Sequence, residues 1–148
     1  MKMIQAYPHI KDNLEAVRAR IASASRHAGR SEQETQLIAV SKKFSEESIR
    51  HAFASGQRRF GENYIQEASV KIDNLNDLSI EWHFIGPIQS NKTRQIATKF
   101  DWVHSVDRVK VAQRLSEARS LMRHRLKVCL QVNITEEKSK QGCRISDV

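Results

Sequence analysis

Between Ile10 and Ala28 the apolar residues Ile10, Leu14, Val17, Ile21, Ala24 and Ala28 recur at steps of three and four. That spacing lines one face of a helix, and Gly29 offers a left-handed cap to close it. Leu37 to Val40 then form a short apolar run that reads as a strand. It is followed by Ser45 as an N-cap, with Glu46 and Glu47 in the first turn, where carboxylates complement the helix dipole. Ile49, Ala52 and Phe53 give this second helix its buried face, and Gly56 ends it. The same strand-then-helix unit repeats. "RRFGENY" (58–64) predicts a strand running into a helix, with Asn63 as N-cap, Gln66 three residues on, and Ile65, Ala68, Ile72 and Leu75 on one face. "EWHFIGP" (81–87) predicts a third strand, ended by Gly86 and Pro87, before a helix through Ile96, Ala97 and Phe100. "DWVHSVD" (101–107) predicts a fourth, before a helix through Val109, Ala112, Leu115, Ala118 and Met122. "LKVCLQVNI" (126–134) predicts the fifth strand and the longest.

Strands alternating with helices imply right-handed crossovers and a parallel sheet, so the class is α/β. Periodicity leaves two architectures open: a doubly wound open sheet, and the beginning of a closed (β/α)₈ barrel, which takes about 250 residues. Neither a G-x-G-x-x-G nor a G-x-x-x-x-G-K-[ST] loop is present to favour the first.

The chain length of 148 residues suits one domain, 1–148, with its own core. A composition of 39% hydrophobic and 28% charged residues, with five Gly and two Pro, excludes fibrous and disordered classes. The apolar runs fall far short of the roughly 20 residues that cross a bilayer. Met1 to Pro8 lacks the apolar stretch of a signal peptide, so no membrane partner and a cytoplasmic location are expected. Cys129 and Cys143 show no metal spacing and read as ordinary thiols, with no metal expected. A net charge of +8 favours anionic partners: a phosphorylated small molecule, nucleic acid or an acidic protein. The basic clusters "SNKTR" (90–94) and "RHRLK" (123–127) come without any recognition-helix, RNP or zinc-finger pattern, which argues against nucleic acid.

In both architectures ligands bind at the carboxyl ends of the strands, and here those ends are polar. They carry Ser41 and Lys42; Glu62 and Asn63; Gln89 to Lys92; Ser105 and Asp107; and Asn133. Alternation puts Ile38, Val40 and Lys42 on one face of the first strand and Leu37, Ala39, Ser41 and Lys43 on the other. If Ile38 and Val40 point inward, Lys42 stands at the rim of an apolar interior. Desolvation there lowers an amine's pKa and frees it to attack a carbonyl. From position alone, a lysine snorkelling from a strand end explains it as well. His83 shares a face with Ile85 and reads equally as a satisfied core residue. Asn63 and Asn133 suit either a ligand or a strand-to-helix turn. Nothing in the spacing makes Glu62 and Asp107 an acid/base pair.

The strand ends carry a resemblance. "AVSKK" (39–43), "FGENYIQE" (60–67), "EWHFIGPIQSNK" (81–92), "VHSVD" (103–107) and "QVNITEEKSKQG" (131–142) resemble, in order and spacing, the YggS/PROSC family of pyridoxal 5′-phosphate homeostasis proteins. The resemblance implies the N-terminal portion of a (β/α)₈ TIM-type barrel like that of alanine racemase. The cofactor would be pyridoxal 5′-phosphate, held as a Schiff base by Lys42. It further implies Asn63 beside the cofactor ring, His83 in the inner layer below it, and Lys140 in cofactor handling. Family members continue through further β/α units that carry the phosphate site. The chain therefore reads as truncated after its fifth strand, with open sheet edges able to pair with another copy. The implied role is binding and release in vitamin B6 homeostasis without turnover. Two alternatives stand beside it. One is a pyridoxal-phosphate-dependent amino-acid racemase or decarboxylase, for which Tyr7 and Tyr64 are the tyrosines present. The other is a basic interaction module for nucleic acid.

Overall fold

A computed structural model describes residues 8–120, 122–137 and 139–148. Five parallel strands, β1 (Ala39–Val40), β2 (Arg59–Glu62), β3 (Glu81–Phe84), β4 (Trp102–Val106) and β5 (Lys127–Leu130), form one sheet in the order β1-β2-β3-β4-β5. The helices α1 (Pro8–His27), α2 (Glu46–Ala54), α3 (Ile65–Asn74), α4 (Thr93–Lys99) and α5 (Val109–Arg119) precede the sheet or connect its strands. This order decides between the two architectures. A doubly wound sheet reverses direction at a switch point, whereas every crossover here adds its strand on the same side, as a barrel does.

Period-two alternation explains the two faces. Phe60, Trp82, Phe84 and Val103 point to the helices and join Ile49, Ile65, Ala68, Ile96, Phe100, Val111 and Leu115 in the buried core. Phe84 and Phe100 meet edge-on with centroids 5.2 Å apart. The other face carries Val40, Gly61, His83 and Trp102 in register across neighbouring strands. An added Cβ on Gly61 would stand 3.2 Å from both Ile38 and Ile85, so a side chain there would crowd this inner face.

Several element boundaries hold. Gly29 has φ 66 and follows α1, with the Arg30 amide donating back to the Ser25 carbonyl at 2.9 Å. Ser45 caps α2 by accepting from the Ser48 amide at 3.2 Å. Others move. Asn63 is not a cap: Tyr64 occupies the N-cap of α3 and its side chain makes no capping bond. The face of α5 is shifted, because the helix begins at Val109 and turns Val111, Leu115 and Ala118 to the sheet, leaving Val109 73% exposed. The fifth strand is shorter than the apolar run suggests. The Gln131 amide still donates to the Val106 carbonyl at 2.8 Å, after which the chain leaves the ladder and closes on itself through a bridge between Val132 and Cys143.

Candidate functional site

Lys42 lies in a four-residue turn at the carboxyl end of β1. The Phe44 amide donates to the Ser41 carbonyl at 3.0 Å, and Ser41 extends the β1–β2 ladder by donating its amide to the Gly61 carbonyl at 2.9 Å. Ser41 is buried on the helix side and donates its hydroxyl to Glu62 at 2.7 Å, so alternation assigns Lys42 to the side of Val40 and Gly61. The amine of Lys42 has no hydrogen bond or ion pair among the described residues, and the residue is exposed. The expected apolar shelter is absent: Val40 is 47% exposed, because five strands leave the inner face without an opposing wall.

Asn63 follows β2 at the same end of the sheet. Its Oδ1 is buried and without a hydrogen-bond partner among the described residues. Its backbone packs against Gly86 so closely that a Cβ on Gly86 would stand 2.2 Å from the Asn63 carbonyl oxygen; only glycine permits that approach. The Ser105 hydroxyl donates to the Gly86 carbonyl, tying the ends of β2, β3 and β4 together.

His83 is 3% exposed and belongs to a polar layer across the inner face. Its Nε2 lies 3.1 Å from Oε1 of Glu81, and its Nδ1 lies 2.9 Å from Nε2 of His104. Arg59 donates its Nε to Glu81 at 2.9 Å. Trp102 stacks on His83 at 5.8 Å, and Lys127 sits 5.0 Å above the Trp102 ring. Burial pushes both imidazoles below their ordinary pKa, and for His83 the adjacent Glu81 carboxylate partly offsets it. Glu81 itself is held below the usual carboxylate range: burial opposes the shift, but Arg59 and His83 outweigh it. His83 is therefore not a lone core residue. Among the described residues no group of three His, Cys, Asp or Glu side chains could hold a metal.

Lys140 stands apart from these groups, in the loop after β5, where it pairs with Glu137 at 2.8 Å and remains exposed. Asn133 shapes that loop by donating its side-chain amide to the Glu137 carbonyl at 3.0 Å. Glu62 and Asp107 have separate partners: Glu62 is paired with Lys71 at 2.9 Å and Asp107 with Arg108 at 2.5 Å. Tyr64 is 54% exposed, and Tyr7 lies outside the described residues. Cys129 and Cys143 are free thiols.

The sequence reading missed Lys71. Its ammonium is buried and donates to the Ser41 carbonyl at 2.8 Å, to Glu62 at 2.9 Å and to Glu67 at 2.6 Å. Glu67 four residues before Lys71 was the available signal, but that spacing ordinarily marks an exposed helix pair.

The residues at the strand ends fit pyridoxal 5′-phosphate. The amine of Lys42, just after β1 and unpaired among the described residues, is a group that an aldehyde can react with, and the Asn63 amide just after β2 lies at the same end of the sheet.

A family model described as the N-terminal domain of alanine racemase matches residues 13–148. A Pseudomonas aeruginosa protein named pyridoxal phosphate homeostasis protein is 55% identical over 139 residues, which cover 94% of this chain and 60% of that protein. The Escherichia coli K12 protein of the same name is 44% identical over 142 residues, with 94% and 61% covered. The chain thus spans about 60% of the length of these relatives. Among solved structures, PipY of Synechococcus elongatus PCC7942 without PLP superposes with a TM-score of 0.81 at 39% identity, covering 93% of this chain and 60% of PipY. PipY with PLP bound gives a TM-score of 0.68 at 41% identity, covering 81% of this chain and 56% of PipY.

Proposed function

Since the chain belongs to the alanine racemase N-terminal domain family, we propose that it is a pyridoxal 5′-phosphate-binding homeostasis protein that holds the cofactor as a Schiff base on Lys42. The observation that carries this reading is that the exposed Lys42 amine, without a partner among the described residues, and Asn63, whose Oδ1 is unsatisfied among them, both follow neighbouring strands at the same end of the sheet. Two relatives bear the homeostasis name, and a structural neighbour at 41% identity is described with PLP bound. The cofactor supplies an aldehyde to an amine and a phosphate to cationic surroundings.

Each residue has a distinct part. Lys42 would hold the cofactor through its Nζ, an amine to which the cofactor would supply an aldehyde carbon. Asn63 offers Oδ1 as a hydrogen-bond acceptor beside the ring. His83 forms the floor below: with Glu81 accepting from Nε2–H, its Nδ1 accepts from Nε2–H of His104, and both rings are held in one tautomer and orientation. Lys140, exposed and with its ammonium paired to Glu137, is an escort cation that meets the phosphorylated ligand as it enters or leaves. The role is retention and release in the cytoplasm rather than turnover.

The test is spectroscopic. Protein purified at its native length and mixed with pyridoxal 5′-phosphate should develop a visible band that borohydride bleaches. The Lys42→Ala variant should show none. Lys140→Ala should keep the band and change the rate at which cofactor is released. A wild-type protein that takes up no cofactor, or an unchanged band in Lys42→Ala, contradicts the reading.

A further inference from the structure

The turn that presents Lys42 is held in a conformation its own residues do not favour. Lys43, the second central residue, has φ 64, a left-handed position that a side chain with a Cβ rarely takes. Something outside the turn must impose it. The Lys43 amide donates to Oε1 of Glu67 at 2.7 Å, and the Ser41 carbonyl accepts from Lys71 Nζ at 2.8 Å. Ser41 Oγ donates to Oε1 of Glu62 at 2.7 Å. An ammonium has three protons, and Lys71 directs all three into this unit: to Ser41, Glu62 and Glu67.

The unit is also costly. Glu62 is fully buried, with its Oε2 unpartnered among the described residues, and the Lys71 side chain is 7% exposed. A buried ion pair is weak evidence for stability, since two apolar residues of similar volume often serve a core as well. What apolar residues cannot do is grip a carbonyl and an amide on either side of one residue.

We propose that Lys71, Glu62 and Glu67 form a mount that positions Lys42: they lie on the helix side of the sheet and fix the backbone from which its amine reaches the cofactor. This rests on the reading of Lys42 as the cofactor lysine. The three are positioning residues, each acting through the turn.

Two variants test it. Glu67→Ala removes the acceptor of the Lys43 amide from a partly exposed site and leaves the Glu62–Lys71 pair in place. The double variant Glu62→Met/Lys71→Met replaces the buried pair with apolar side chains. Two readouts are taken: amide hydrogen exchange at Lys43 in cofactor-free protein, and the dissociation constant for pyridoxal 5′-phosphate. Glu67→Ala should speed exchange at Lys43 and weaken cofactor binding about tenfold, the worth of one such hydrogen bond, with rescue by Glu67→Gln. The double variant should show the same loss of cofactor affinity with its core intact. Wild-type exchange and affinity in Glu67→Ala overturn the mount whatever the double variant does. If wild-type protein takes up no cofactor, the reading of Lys42 falls, while exchange at Lys43 still decides whether the mount exists.

Discussion

His83 and His104 share a hydrogen bond across the inner face, Nδ1 to Nε2, at 2.9 Å, although they lie on different strands and each is a base. Such a bond needs one ring to donate and the other to accept. Glu81 settles which: by accepting from His83 Nε2–H it leaves Nδ1 as the acceptor and makes His104 the donor. A further proton on His83 would fall on Nδ1, facing the proton already on His104.

A pH dependence follows with a definite sign. Both imidazoles have folded pKa values below the ordinary 6.5, chiefly through burial. The unfolded chain therefore takes up protons there that the folded chain refuses, and stability falls as pH drops from about 6.5. Urea unfolding midpoints should decline between neutral and mildly acidic buffer, and the decline should shrink in His104→Gln. A midpoint that rises on acidification would count against the arrangement.

Breaking the buried pair should be severe. Lys71→Met leaves the Glu62 carboxylate buried with no cation and should cost about 3–5 kcal/mol by urea unfolding, several times the cost of Lys140→Met at the exposed Glu137 pair. Glu67 is held below the usual carboxylate range, first by its hydrogen bond from Lys71. Its contribution is accordingly present above the ordinary glutamate pKa and lost as pH falls through the folded value. Equal losses for Lys71→Met and Lys140→Met would refute the burial argument.

Gly86→Ala tests the closeness of the strand ends. Its Cβ would stand 2.2 Å from the carbonyl oxygen of Asn63 and 2.7 Å from its Cα, both backbone atoms that cannot swing aside. The expected loss is about 1–3 kcal/mol or more, with weaker cofactor uptake because Asn63 must move. A variant as stable as wild type would show that this packing is slack.

How far the molecule could be read from its sequence depends on the range of the interactions. Period two sorted Val40 from Ala39 and Ser41, because alternation is local. The carboxyl ends were legible as a candidate site because a parallel sheet gathers them, and Lys42 and Asn63 follow neighbouring strands at that end. Two features resisted. The phase of α5 was misread because Val109 and Val111 are equally apolar, and only packing on the sheet selects Val111. Lys71 and Glu62 looked like a helix-surface lysine and a strand-end carboxylate, since nothing local says that Lys71 reaches back thirty residues to Ser41. The shelter expected around Lys42 failed for a related reason: it depends on an opposing wall that these five strands do not supply.

Peptide mapping tests the central claim most directly. Protein at its native length is loaded with pyridoxal 5′-phosphate, reduced with borohydride, digested and sequenced by mass spectrometry. The account predicts a reduced phosphopyridoxyl adduct on the peptide containing Ser41, Lys42 and Lys43, with the mass increment on Lys42. An adduct concentrated on Lys43, Lys140 or scattered surface lysines, with Lys42 unmodified, would contradict it.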